Sequence, residues 1–159
     1  MFIYLYNKKI LKKSVLWILD RVVIASALGA IFIRIGNFFN SEMIGKPTEE
    51  GFPLAIIFRQ LDSVPRHPGQ LYEAFGYIFV FITLFLLYWK TKKSTQSGFL
   101  FGLFLVLLMS VRVFVEQFKI AQIDSREDWI LGLNTGQVLS IPFVVCGLYF
   151  MFFFKPKTN

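Results

Sequence analysis

Four stretches of this chain are apolar on nearly every side, and polar stretches separate them. They cover about 15–33, about 71–89, about 98–118 and about 136–154. A helix needs roughly 20 residues to cross a bilayer, and each stretch approaches that length. The apolar residues do not alternate with polar ones, so helix rather than strand is the assignment. The pattern predicts an all-α polytopic membrane protein with four transmembrane helices in one domain. No internal repeat or low-complexity linker divides it. The apolar run 52–58 is too short to span and is expected to rest at the membrane interface.

Composition supports this reading: 55% of the 159 residues are hydrophobic, and 20 are Phe, a residue suited to acyl-chain contacts. That is too apolar for an ordinary soluble domain. A formal net charge of +7 could suggest nucleic acid. The lysines, however, fall in short clusters between the apolar runs, which is how topology signals are arranged. Lys8, Lys9, Lys12 and Lys13 precede the first run. Lys90, Lys92 and Lys93 fill the second connection, and Lys155 and Lys157 follow the last run. With four spans these groups share one side. By the positive-inside rule that side is the cytoplasm, so both termini are expected there. Residues about 40–70 and about 119–135 then form the outer-side loops. A secretory signal peptide is not expected, because Asp20 and Arg21 interrupt the run that follows the basic start. They are expected to form a local pair. The single cysteine, Cys146, excludes an intrachain disulfide and a multi-cysteine metal site, and is expected to be buried packing.

The chemistry concentrates at the outer ends of the helices. Arg34 and Asn37 are three apart and share a helix face. A guanidinium fork beside a carboxamide suits a phosphate ester, and it also suits a structural lock between helices. Arg112 and Glu116 lie one turn apart near the outer end of the third helix, with Lys119 after them. They can form an ion pair. Alternatively, Arg112 and Arg34, expected at one depth, can face one pocket and hold a lipid phosphate. His67, the only histidine, is flanked by Pro65 and Pro68 just before a helix start. It fits a backbone-bonding role better than that of a general base. Gln137 can cross-link helices or touch a headgroup. One histidine and one cysteine offer no metal site.

Four segments carry a family resemblance. They are Arg34-Ile-Gly-Asn-Phe-Phe-Asn40-Ser-Glu42-Met-Ile-Gly45, Arg66-His-Pro-Gly-Gln-Leu-Tyr-Glu73, Arg112-Val-Phe-Val-Glu116 and Gly136-Gln-Val-Leu-Ser-Ile-Pro142. In this order they resemble the motifs of bacterial prolipoprotein diacylglyceryl transferases. The resemblance implies a seven-helix inner-membrane enzyme without metal or organic cofactor. Such enzymes move the diacylglyceryl group of phosphatidylglycerol onto the lipobox cysteine thiol of a preprolipoprotein. Glycerol phosphate leaves and a thioether forms. It implies catalytic roles for Arg34, Arg112 and Glu116. It implies substrate contacts from Arg34, Asn37, Asn40, Glu42, Gly45, Arg66, His67, Gln70, Arg112 and Gln137.

The chain departs from the family pattern in places. Ile33 stands where the first signature glycine is usual, and Leu108 stands where a tyrosine is common. No His-Gly pair occurs, although the family carries a His-Gly-Gly segment with a histidine thought to be catalytic. The chain is therefore expected to be the C-terminal part of such an enzyme, with the missing N-terminal part as a partner. The alternative is a non-catalytic phosphatidylglycerol-binding membrane module.

Overall fold

The computed structural model describes residues 13–49, 51–120 and 133–154. Four helices within it are long and apolar enough to cross a membrane, which makes this a multi-pass membrane protein. They are α1 (Val15–Phe39), α2 (Gly69–Lys90), α3 (Phe99–Glu116) and α4 (Thr135–Phe152). The terminal lysine clusters, apart from Lys13, and most of the second outer-side loop lie outside the described residues.

α1 runs six residues past its expected end at 33, so Arg34 and Asn37 sit on helix. The Ser14 side chain caps its start by accepting from the Trp17 N–H at 3.2 Å. α4 opens on a capping box in which Asn134 and Gln137 satisfy each other's backbone amides. Between α2 and α3 lies one short 3-10 turn, Lys92–Thr95. α1 packs on α2 and α3 on α4, while α2 and α1 both touch α3. Val23, Ala27, Val80, Leu84 and Leu100 form the central core, and Ile31, Ala74 and Tyr77 continue it toward the C-terminal end of α1. α3 and α4 approach closely at two glycines. A Cβ on Gly147 would stand 2.6 Å from the Gly102 carbonyl oxygen. The outward faces present Phe32, Phe75, Phe79, Phe114 and Phe143, as lipid contact requires.

Two expectations are corrected here. Asp20 and Arg21 do not pair, because adjacent residues on a helix point in different directions. Asp20 is buried and reaches α3, where its Oδ2 accepts from the Gly98 N–H at 2.7 Å and its Oδ1 from the Phe101 N–H at 2.8 Å. It therefore caps the start of α3, whose own cap residue, Gly98, has no side chain to offer. Cys146 is exposed on α4 rather than buried, since it faces away from α3 among residues that suit lipid.

The connection between α1 and α2 folds into a small β-cap over the C-terminal end of α1 and the start of α2. β1 (Ile56–Ile57) pairs antiparallel with β2 (Pro65–Arg66). Beyond β2, the Gly45 N–H donates to the His67 carbonyl at 3.1 Å, and the His67 N–H returns a bond to the Lys46 carbonyl at 3.0 Å. On the far side, the Lys46 N–H donates to the Phe118 carbonyl at 2.8 Å. Segment 44–48 is thus clamped between the start of α2 and the end of α3. The 52–58 run joins this cap: Phe52 packs edge-on against His67, and Phe58 is buried against Phe38.

Candidate anion site at the helix ends

A buried carboxylate organises the end of the bundle that carries Arg34 and Arg112. Glu73, one turn into α2, has no exposed side-chain surface. Its Oε2 lies 2.9 Å from Arg34 Nε on α1, and its Oε1 lies 2.9 Å from Lys119 Nζ after α3. Lys119 also approaches Glu116 Oε2 at 3.7 Å. A carboxylate removed from water is tolerable only when such partners hold it. Arg34 is steadied from its own helix. In the amide orientation that satisfies both ends, the Asn37 oxygen accepts from Arg34 Nη1 at 3.1 Å, and its nitrogen donates to the Ile33 carbonyl at 3.2 Å.

Beside this cluster lies a cavity of about 350 Å³ lined by Arg34, Met43, Ile44, Arg112, Glu116, Lys119 and Ile120. Its size is that of a small-molecule site. Arg34 and Arg112 thus open onto one cavity from α1 and α3. Both act electrostatically on the buried Tyr77 hydroxyl. Among the described residues no carboxylate pairs with Arg112. The Arg112–Glu116 pair, one of the two alternatives the spacing offered, is absent there because Glu116 turns to Lys119 and to the start of α4. A Cβ on Gly136 would collide with the Glu116 carboxylate, so the glycine admits that acid to the positive end of α4. Arg34, Arg112 and Lys119 outnumber Glu73 and Glu116 by one charge. Among the described residues the cavity is therefore net cationic, with an uncommitted guanidinium on its wall, and can hold an anion.

The remaining expected site residues are placed as follows. Glu42 has an exposed side chain, but its carbonyl accepts from the buried Gln70 Nε2. That bond fixes a turn in which Ser41 and Met43 both hold φ of 55°. Such left-handed geometry is costly outside glycine, and it delivers Met43 and Ile44 to the cavity wall. Gln70 thus shapes the wall and does not line it. Gly45 is required by the cap, since a Cβ there would strike the His67 carbonyl oxygen. Asn40 closes the C-terminus of α1 and is exposed. Arg66 is occupied by Asp62, 2.6 Å from Nη2. The guanidinium holds the Asp62 carboxyl below its ordinary range. The His67 ring lies among Phe52, Tyr72 and Phe118, with Nδ1 3.2 Å from the Tyr72 hydroxyl. Gln137 is committed to its capping box and donates from Nε2 to the Val113 carbonyl at 3.2 Å, which is the helix cross-link alternative. Asn40, Arg66, His67, Gln70 and Gln137 do not line the cavity.

Glu73 and Lys119 were not among the expected site residues. A carboxylate inside an apolar run was the available signal for Glu73, because it requires a buried cation. Nothing local in the sequence named Lys119 as that cation.

The family model for prolipoprotein diacylglyceryl transferase matches residues 1–153. The chain belongs to this family. Similar proteins include the phosphatidylglycerol–prolipoprotein diacylglyceryl transferase of Bacteroides fragilis, 42% identical over 157 residues, covering 99% of this chain and 55% of the relative. That of Tolumonas auensis is 42% identical over 149 residues, covering 94% of this chain and 56% of the relative. That of Chloroherpeton thalassium is 43% identical over 150 residues, covering 94% and 54% respectively. The chain spans about half the length of the curated relatives it matches.

Proposed function

We propose that this chain carries the lipid-phosphate site of a phosphatidylglycerol–prolipoprotein diacylglyceryl transferase in the bacterial inner membrane, with its lysine-rich side cytoplasmic. The observation that carries the reading is Arg34 and Arg112 opening onto one net-cationic cavity. In this reading the phosphate of phosphatidylglycerol lies between the two guanidinium groups, with Lys119 at its edge. The cysteine sulfur of the lipobox peptide, as thiolate, attacks the glyceryl carbon that bears the phosphate ester. A carbon–sulfur bond forms, the carbon–oxygen bond breaks, and glycerol phosphate departs with the electron pair. Negative charge grows on the phosphate oxygens during this step, where preorganised arginines are most effective. Asn37 orients Arg34, and Glu116 with Glu73 sets the position of Lys119. The remaining helices of a seven-helix enzyme would supply the rest of the cavity wall and the base that takes the thiol proton.

A second reading, a phosphatidylglycerol-binding module without transfer, draws on one observation. The only imidazole of the chain is packed among aromatic rings and bonded to Tyr72, not set at the cavity. General-base assistance is worth on the order of a hundredfold to ten-thousandfold in rate. The test measures phosphatidylglycerol binding and lipobox-peptide lipidation by the purified chain in phosphatidylglycerol membranes. Lipidation that falls sharply in Arg34→Lys, which lacks the bidentate fork, supports the transferase reading. Binding without lipidation supports the module. Absence of saturable binding that depends on Arg34 and Arg112 refutes both.

A further inference from the structure

A second cationic site lies at the opposite, lysine-bearing end of the bundle. Arg21 sits near the start of α1, and its neighbour Asp20 is turned away to cap α3. The Arg21 guanidinium stacks on the Trp17 ring, 3.4 Å from its centroid, and faces Tyr88 at 5.6 Å. Its Nη1 donates to the Trp17 carbonyl at 2.8 Å. Among the described residues that is its one hydrogen bond, and no carboxylate pairs with it. Below it runs a groove of about 450 Å³ between α1 and α2. Ala25 and Leu28 form one wall, and Phe81 and Phe85 the other. Trp89 stands at the mouth, followed in sequence by Lys90, Lys92 and Lys93.

We propose that this groove binds an anionic phospholipid, with its phosphate on the Arg21 fork and one acyl chain against Ala25, Leu28, Phe81 and Phe85. A planar guanidinium matches phosphate oxygens. Basic pockets between membrane helices suit acidic headgroups, and aromatic residues mark the headgroup level. From Arg21 to Leu28 the groove runs about 10 Å along the helix, parallel to a lipid tail. Another protein helix laid over the groove would trap Arg21 in apolar surroundings with only the Asp20 carboxylate, already committed to the amides of α3, as counter-charge. A lipid phosphate brings a counter-charge with it. The site is independent of the transfer reading: Arg21 and Arg34 lie about 20 Å apart along α1.

The test uses the Trp129→Phe chain in phosphatidylcholine bilayers, leaving Trp17 and Trp89 as reporters at the groove. Brominated phosphatidylglycerol or brominated cardiolipin is titrated in, and tryptophan quenching is compared with brominated phosphatidylcholine. Saturable quenching at low anionic fraction is expected, and the ratio between the two anionic lipids names the preferred headgroup. Arg21→Gln should weaken the apparent affinity about fivefold, the worth of one cation at the membrane surface. Ala25→Phe, which fills the groove and leaves Arg21 in place, should weaken it as well. Arg112→Gln, at the other end, should leave the curve unchanged. Equal quenching by phosphatidylcholine, a parental curve for Arg21→Gln, or no quenching by any brominated lipid would overturn the proposal.

Discussion

Replacing Glu73 with glutamine separates what the buried carboxylate does for the fold from what the surrounding cations do for an anion. The parent holds Glu73 between Arg34 and Lys119, each at 2.9 Å, with no exposed side-chain surface. Removing one member of such a buried cluster costs about 3–5 kcal/mol, because the charges left behind stay out of water. The same change raises the net charge around the cavity from one positive to two. A bound phosphate then takes over the role of the missing carboxylate, whereas in the parent it competes with Glu73 for the same two cations. The assay is denaturation in mixed micelles, with and without phosphatidylglycerol. Glu73→Gln should lose about 3–5 kcal/mol without the lipid and regain more than the parent when the lipid is added. Lipid at a hundred times its dissociation constant adds about 2.7 kcal/mol, so the regain is measurable. A variant as stable as the parent within about 0.5 kcal/mol, or equal lipid increments for both, would refute the reasoning. Glu73→Asp, which keeps the charge but shortens the reach, should fall between.

The other substitutions probe separate parts of the molecule. Arg112→Gln leaves no carboxylate orphaned among the described residues, so its stability should stay within about 0.5 kcal/mol of the parent while phosphatidylglycerol binding at the Arg34–Arg112 cavity is lost; a large stability loss would show that Arg112 is structural. Asp20→Ala frees the buried amides of Gly98 and Phe101 and should cost about 2–3 kcal/mol in the same denaturation assay, with Asp20→Asn losing less. Gly45→Ala drives a methyl into the His67 carbonyl and should cost about 1–3 kcal/mol and speed amide exchange at Lys46 and His67. The Asp62–Arg66 bond holds the Asp62 carboxyl below its ordinary pKa of about 3.9, so its contribution is complete above that pH and fades as pH falls through the lower folded value. The protection of the Val64 amide, whose N–H donates to Asp62 Oδ1 at 3.1 Å, measured relative to its intrinsic exchange rate, should fall only in that acid range.

Helix positions were legible because an apolar run of spanning length has one economical structure in lipid, and all four runs follow it. The end of α1 was not, because charge density stops the reading at 33 while Arg34 and Asn37 stay helical by bonding each other and Glu73. That Arg34 and Arg112 open onto one cavity was legible, each being a cation near the same end of an apolar run. One carboxylate was misread by proximity in sequence: Asp20 with Arg21 looked like a local pair, yet Asp20 reaches α3. For Glu116 the spacing left pairing with Arg112 open, and Glu116 turns to Lys119. Gln70, Gln137 and His67 were read as substrate contacts through their motifs. Their polar groups instead reach the Glu42 and Val113 carbonyls and the Tyr72 hydroxyl, contacts that depend on loop and helix packing no spacing rule encodes.

A chain cut in the Lys92–Thr95 turn would separate into an α1–α2 hairpin and an α3–α4 hairpin. Apolar faces alone would rejoin them with little selectivity, since surrounding hydrocarbon competes for the same contacts. Asp20 adds direction at one membrane surface by seeking the amides of Gly98 and Phe101, which sets the depth and rotation of α3. Glu73 and Lys119 add it at the other surface. The two halves therefore meet like a plug with one pin at each end: neither a slide along the membrane normal nor a twist about the helix axis satisfies both pins at once.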